Sequence, residues 1–152
     1  MILLLLAIAT FSEGRCSCQK ALEHDVAYGA NETIEYSERT VKRIGGHVVY
    51  GSDGDPAEDV VVEIYEVTQA DKKLSPHEIV QRSQRKTACV TPKDGSFCFT
   101  DLPPGWYLVR AGTRSATAGM NEVFMKVKVD RRWWSRWFRS DKGIKLTLTP
   151  GT

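Results

Sequence analysis

Four cysteines and one run of arginines and tryptophans carry most of the reactive or adhesive chemistry in these 152 residues. Cys16, Cys18, Cys89 and Cys98 form an even set, as disulfides in an oxidising compartment require. Residues 92–95, Pro-Lys-Asp-Gly, read as a four-residue turn, so that Thr91 faces Ser96, Val90 faces Phe97 and Cys89 faces Cys98 across a hairpin. Directly opposed Cβ atoms stand near disulfide distance, and a Cys89–Cys98 bridge over so short a loop would stabilise by about 2–3 kcal/mol. The alternative is a pair of reduced, merely adjacent thiols. Cys16 and Cys18, in a Cys-Ser-Cys, could bridge each other, stay free or link to a partner. Two thiols alone make no zinc site, and His24, His47 and His77 lie far apart without ligand spacing, so neither a metal nor another cofactor is expected.

The second feature is Arg131-Arg-Trp-Trp-Ser-Arg-Trp-Phe-Arg139. At helical pitch, Trp133, Trp134, Trp137 and Phe138 fall within an arc of about 140°, opposite Arg131, Arg132, Ser135, Arg136 and Arg139. As a strand the same residues would mix tryptophan and arginine on each face, so a short helix is predicted, with Asp130 as N-cap and Gly143 just past its end. Its aromatic face could cover apolar residues of the domain, enter an anionic membrane interface, or bind a protein or glycan, for which tryptophan and arginine are suited.

The elements that must position these residues are strands. Alternating segments run over 44–50, 60–67, 86–90, 96–101, 106–112, 123–129 and 144–149, with a further short strand at 77–81. The glycine- and proline-rich 51–56 cluster makes the first two a hairpin, and Pro103-Pro-Gly105 turns the chain between the fifth and its predecessor. About seven strands predict an all-β, seven-stranded antiparallel sandwich. One face of each strand is apolar, as burial between sheets requires. The other carries Val49, Val61, Tyr65, Trp106, Leu108 and Phe124, which calls for a covering element or partner.

Residues 1–11 are apolar over too short a run to span a bilayer, and with Ser12-Glu-Gly-Arg15 they predict a signal peptide over 1–15, although no lysine or arginine precedes the apolar run. A buried N-terminal strand is the alternative. Residues before Cys16 lack the pattern of a lipoprotein cleavage site. Polar, aperiodic residues 16–40 read as an N-terminal linker or loosely packed arm, with a glycosylation sequon at Asn31, and 41–150 as the folded domain. The expected location is secreted, periplasmic or at the cell surface. Hydrophobic residues at 41% and charged residues at 26% exclude a disordered chain, while a net charge of +2 excludes a general nucleic-acid binder.

Residues 44–56, the strand that starts at Val60, and 91–107 resemble the carboxypeptidase regulatory-like domain over roughly residues 42–149. The marks are the Gly46 strand, the Asp53-Gly-Asp-Pro56 turn, Gly95-Ser-Phe97 and the Leu102-Pro-Pro-Gly-Trp-Tyr107 corner. The resemblance implies a prealbumin-like, transthyretin-like Greek-key sandwich acting as an accessory, adhesive or structural module of exported proteins, without activity of its own. The 131–139 insertion and the Cys89/Cys98 pair depart from that pattern. A hydroxyisourate hydrolase on this scaffold would be expected to end in a Tyr-Arg-Gly-Ser-type tail, and here the last residues are Leu148-Thr-Pro-Gly-Thr152. An intradiol dioxygenase would need a close histidine pair for iron. An intramolecular isopeptide bond would need a buried lysine and a buried carboxyl, for which Lys42 and Asp101 qualify by type. The expectation is a non-catalytic module with a structural role or one of binding a protein, glycan or membrane surface; the alternative is a small hydrolase on a transthyretin-like scaffold.

Overall fold

The computed structural model describes residues 16–30, 32–34, 38–51, 53–132 and 143–151. They form two packed sheets. The larger contains β1 (Gln19–Lys20), β2 (Glu32–Ile34), β3 (Arg39–Val41), β6 (Val60–Val67), β7 (Arg85–Val90), β9 (Gly105–Thr113) and β10 (Glu122–Val129). The smaller contains β4 (Ile44–Tyr50), β5 (Asp55–Pro56), β8 (Ser96–Phe99) and β11 (Ile144–Leu148). The chain is therefore all-β, as its alternation predicts. It is not wholly antiparallel: β11 runs parallel to β4, and β2 and β3 run parallel to β10.

Alternation decides what fills the space between the sheets. Val62, Ile64, Tyr107, Val109, Val127, Leu146 and Leu148 from both sheets meet there with Phe97 and Phe99, all buried. The Tyr107 hydroxyl donates to the Pro103 carbonyl at 2.6 Å, closing the Leu102–Tyr107 corner. At Gly95 the backbone is left-handed, with φ +70°, and a Cβ there would run into the Val48 carbonyl.

Two predicted hairpins are instead crossings between sheets. The 92–95 turn carries the chain from β7 to β8 in the opposite sheet, so Cys89 lies in register with Val62 and Lys20, and Cys98 with Gly45. Likewise β4 pairs back only onto β5 before Asp59, at φ +60°, leads across into β6. Periodicity reports which face a residue occupies and is silent on which sheet its strand joins.

The 77–81 segment is the middle of helix α1 (Pro76–Arg82) rather than a strand. Ser75 and Glu78 form a capping box: Glu78 Oε2 accepts from the Ser75 N–H at 2.8 Å, while Ser75 Oγ accepts from the Glu78 N–H at 3.4 Å. Pro76 stands in the first turn, where its missing N–H costs nothing. The helix lays Ile79 on the outer face of the larger sheet, against Tyr65, Val67, Leu108 and Phe124, with Leu74, Val80 and Trp106 at the margin. Lys126 holds the loop ahead of α1 through the carbonyls of Lys72 at 2.8 Å and Leu74 at 3.1 Å.

The described residues within 16–40 pair with the larger sheet and pack on it. β1 extends the larger sheet beside β7; Tyr28 and Thr113 exchange backbone hydrogen bonds of 2.9 and 3.0 Å; β2 and β3 line the β10 edge. A Cβ at Gly112 would lie 2.5 Å from the Tyr28 carbonyl, so the close passage of this layer needs glycine there. Ala21 and Ala27 cover Val61 and Ala88. The cover that the outward apolar residues of the larger sheet call for is thus α1 over Tyr65, Trp106, Leu108 and Phe124 and residues 21–27 over Val61, while Val49 lies on the smaller sheet. The helix predicted over 131–139 lies outside the described residues except for Arg131 and Arg132; next to them Asp130 Oδ1 accepts from the Arg132 N–H at 3.0 Å.

Ile79→Ala is expected to lower stability by about 2–5 kcal/mol, read as a lower guanidinium midpoint at unchanged slope, because Ile79 is fully buried beneath the helix.

Candidate functional site

β6 reads Val-Val-Val-Glu-Ile-Tyr-Glu-Val, and of its two glutamates Glu66 is exposed while Glu63 is buried among apolar neighbours. Alternation turns it to the outer face, where it pairs in register with Arg110 on β9 and Ala88 on β7. The residue is completely buried. Both carboxylate oxygens are matched. Oε1 accepts from the Ala27 N–H at 3.1 Å and lies 3.4 Å from Arg85 Nη1; Oε2 accepts from the Tyr65 hydroxyl at 2.9 Å and from Arg110 Nη1 at 3.1 Å. Arg110 Nε then donates to Glu122 Oε2 at 2.7 Å, and His77 of α1 packs edge-on against Phe124 with its Nε2 3.8 Å from Glu122 Oε1.

The cluster reaches into residues 22–25. Arg85 donates through Nη1 to the Asp25 carbonyl, and through Nη2 to those of Leu22 at 3.0 Å and Glu23 at 3.3 Å. Asp25 Oδ2 accepts from the Leu22 N–H at 2.9 Å, and Oδ1 from Arg114 Nε at 2.8 Å; Arg114 Nη1 reaches Asp59 at 3.2 Å. The Leu22 N–H first, then the Arg114 guanidinium, hold the Asp25 carboxyl below its ordinary value. Burial and the adjacent Glu63 charge push Tyr65 up to about 12. Its hydroxyl therefore stays protonated and donating at neutral pH. Both oxygens of the Glu63 carboxylate are thus occupied by donors from the protein itself. What the arrangement does is fix the N-terminal layer to the sheet. Only a charge midway along an apolar strand signals it in the sequence; its four partners, Ala27, Tyr65, Arg85 and Arg110, come from four separate segments.

The second candidate lies at the other end of β7. Cys98 is bonded to Cys16, with their Cα atoms 5.4 Å apart, whereas the hairpin register predicts Cys89. The reason is the sheet crossing at 92–95, together with β1, which brings Cys16 over the mouth of the sandwich beside β8. Cys18 and Cys89 are the free thiols, Cys89 buried and Cys18 half-buried. Cys18 Sγ accepts from the Cys98 N–H at 3.4 Å and lies 3.5 Å from the Cys98 carbonyl. Its hydrogen bond with Cys89 lowers the Cys18 thiol to about 6, against the opposing effect of burial. The same bond, reinforced by burial, pushes Cys89 far up. All four cysteines line one cavity of about 310 Å³ with Lys20, Lys86 and Leu102.

Of the predicted aromatic-basic surface, Arg131 is placed against the fold. Its Nη2 donates to the carbonyls of Thr100 at 3.2 Å and Leu102 at 2.9 Å. Arg132 is exposed, and Trp133, Trp134, Arg136, Trp137, Phe138 and Arg139 lie outside the described residues. His24 and His47 are exposed and distant in sequence from His77, and Asp101 is exposed rather than buried as an isopeptide partner must be. Among the described residues no group of three or more His, Cys, Asp or Glu side chains is placed to hold a metal ion, and no helix is long and apolar enough to cross a membrane.

Comparison with models of protein families and with curated proteins finds no match. Among solved structures, the chain is similar to a crystal structure of (S)-allantoin synthase at 14% identity and a TM-score of 0.41. The likeness covers 72% of this chain and 41% of that one, so this chain spans well under half of its length.

Glu63→Ala is expected to cost about 3–5 kcal/mol in denaturant unfolding, since it strands the Arg85 and Arg110 charges beneath the N-terminal layer. Asp25 titrates lower folded than unfolded, so its contribution is complete above its unfolded value, near 4, and is lost as the pH falls through its folded value. Unfolding midpoints of Asp25→Asn measured from pH 7 to 2 are accordingly expected to lie below wild type at neutral pH and to converge on it in acid.

Proposed function

We propose that this chain is an exported, non-catalytic β-sandwich module with a binding or structural role at the cell surface or in an extracytoplasmic space, built on a prealbumin-like Greek-key plan. The observation that carries the non-catalytic reading is the closed ionic cluster around Glu63. The charges gathered in the described part of the fold bond to one another and to the backbone of residues 22–27. The Cys16–Cys98 disulfide supports an oxidising compartment, and the apolar run over 1–11 supports export. The likeness of residues 42–149 to carboxypeptidase regulatory-like domains supports an accessory role.

Arg131–Arg139 is the candidate contact surface for a protein, glycan or membrane. Arg131 ties the start of that segment to the 100–102 corner, next to the disulfide, so whatever it binds is held close to a covalently braced part of the sandwich.

Fusion of the full chain ahead of alkaline phosphatase lacking its own leader tests export, because that enzyme forms its disulfides only outside the reducing cytosol. Phosphatase activity in intact bacterial cells is expected; its absence, with fusion protein present in the cytosol, would sink the export reading. Tryptophan emission of the same chain then sorts the partners, since three of its four tryptophans lie in 133–137. A blue shift on adding phosphatidylglycerol vesicles identifies a membrane surface, and an unchanged spectrum leaves a protein, glycan or structural role.

A further inference from the structure

The N-terminal Cys-Ser-Cys reaches both sheets at once. Cys16 is bonded to Cys98 on β8 of the smaller sheet, while Cys18, two residues on, turns its sulfur inward beside Cys89 on β7 of the larger one. β1 sets that register: Lys20 pairs with Cys89 and Gln19 with Val90, which leaves Cys18 at the edge of the core. Cys89 is buried against Val62 and Phe99 in the interior and its hydrogen-bond partner is the Cys18 sulfur. Ser17 is held between the two cysteines by a 2.7 Å hydrogen bond to Ser96.

We propose that Cys18 and Cys89 form a second disulfide, so that the mature chain carries two bridges from one tripeptide, one to each sheet. The inference rests on the oxidising compartment of the preceding reading. The chemistry needs a disulfide oxidant, of which oxidised glutathione is the simplest. The Cys18 thiolate attacks one glutathione sulfur, forming a mixed disulfide and expelling one glutathione thiolate. Cys89 then loses its proton and attacks the Cys18 sulfur, expelling the second. Two protein thiols are oxidised and one glutathione disulfide is reduced to two thiols. The roles follow from position. Cys18 is half-exposed at the cavity mouth and has the lowered thiol, whereas Cys89 is buried and resolves the mixed bond from within. The pair also explains why a cavity lined by four cysteines lies at the edge of the sandwich, where strand β1 would otherwise be a free-ended addition.

The test uses the full chain, equilibrated in a mixture of reduced and oxidised glutathione, alkylated in guanidinium and digested with trypsin without reduction. Cleavage after Arg15, Lys20, Lys86, Lys93 and Arg110 puts Cys16 and Cys18 on peptide 16–20, Cys89 on 87–93 and Cys98 on 94–110. The expected product is one species joining all three peptides, with no alkylated cysteine. Alkylated 87–93 beside a species joining 16–20 only to 94–110 overturns the proposal, as do four alkylated thiols with a bound equivalent of zinc. Cys16→Ser is expected to keep 16–20 joined to 87–93, and Cys18→Ser to keep it joined to 94–110; exchanged partners overturn the assignment. Should either variant not fold, stepwise reduction and alkylation of the wild-type product assigns the same bonds. Oxidation is carried out in vitro, so failed export in the phosphatase assay leaves this result standing, and failed pairing leaves the export result standing.

Discussion

A carboxylate buried completely in a β-sheet must have both oxygens matched, or the cost of leaving water would exceed what a domain of this size can carry. Glu63 meets that condition with two guanidinium groups, a phenol and one backbone N–H. Each donor comes from a different place. Arg85 and Arg110 flank β6 on its two neighbouring strands, Tyr65 sits two residues along on the same face, and Ala27 belongs to the N-terminal layer. The layer cannot lift without exposing the cluster to water and stripping a donor from it. Strands β6, β7, β9 and β10, helix α1 and residues 22–27 are therefore coupled through one ionised group.

The same logic gives the N-terminal layer three kinds of attachment. β1 and the Tyr28–Thr113 bridge supply backbone hydrogen bonds, the Arg85 and Arg114 contacts supply charge-assisted ones, and Cys16–Cys98 supplies a covalent bond. The ladder and the ionic contacts fix residues 19–28 to the larger sheet, while the disulfide reaches the smaller. An element that touches both sheets resists their separation, which is the mode of opening to which a sandwich with its core between two sheets is exposed. The result is a braced scaffold, and such scaffolds carry variable contact segments on their connections. Residues 131–139 leave β10 at a corner where Arg131 bonds two carbonyls, so the segment with the most distinctive composition starts from a fixed point.

Much of the fold was legible from side-chain order. Val60, Val62 and Ile64 face the interior and Val61, Glu63 and Tyr65 face out, as their alternation requires, and Val123, Met125, Val127 and Val129 behave alike on β10. The need for a cover over Tyr65, Leu108 and Phe124 was also legible. The identity of the cover was not. Ser75-Pro-His-Glu78 carries a helix-start signal, yet five residues from His77 read equally well as a strand, and only contact with the sheet distinguishes them.

The sequence by itself determined which residues of each strand are buried and where the chain turns, because both depend on neighbours one to four positions away. The tertiary structure alone decided which strands share a sheet. It thereby made the 92–95 turn a crossing, gave Cys98 a partner 82 residues distant instead of nine, and matched Glu63 with arginines from two other strands. Those choices are made between segments far apart in the chain, where local preference is equal among alternatives and only simultaneous burial of charge, apolar surface and backbone polar groups selects one.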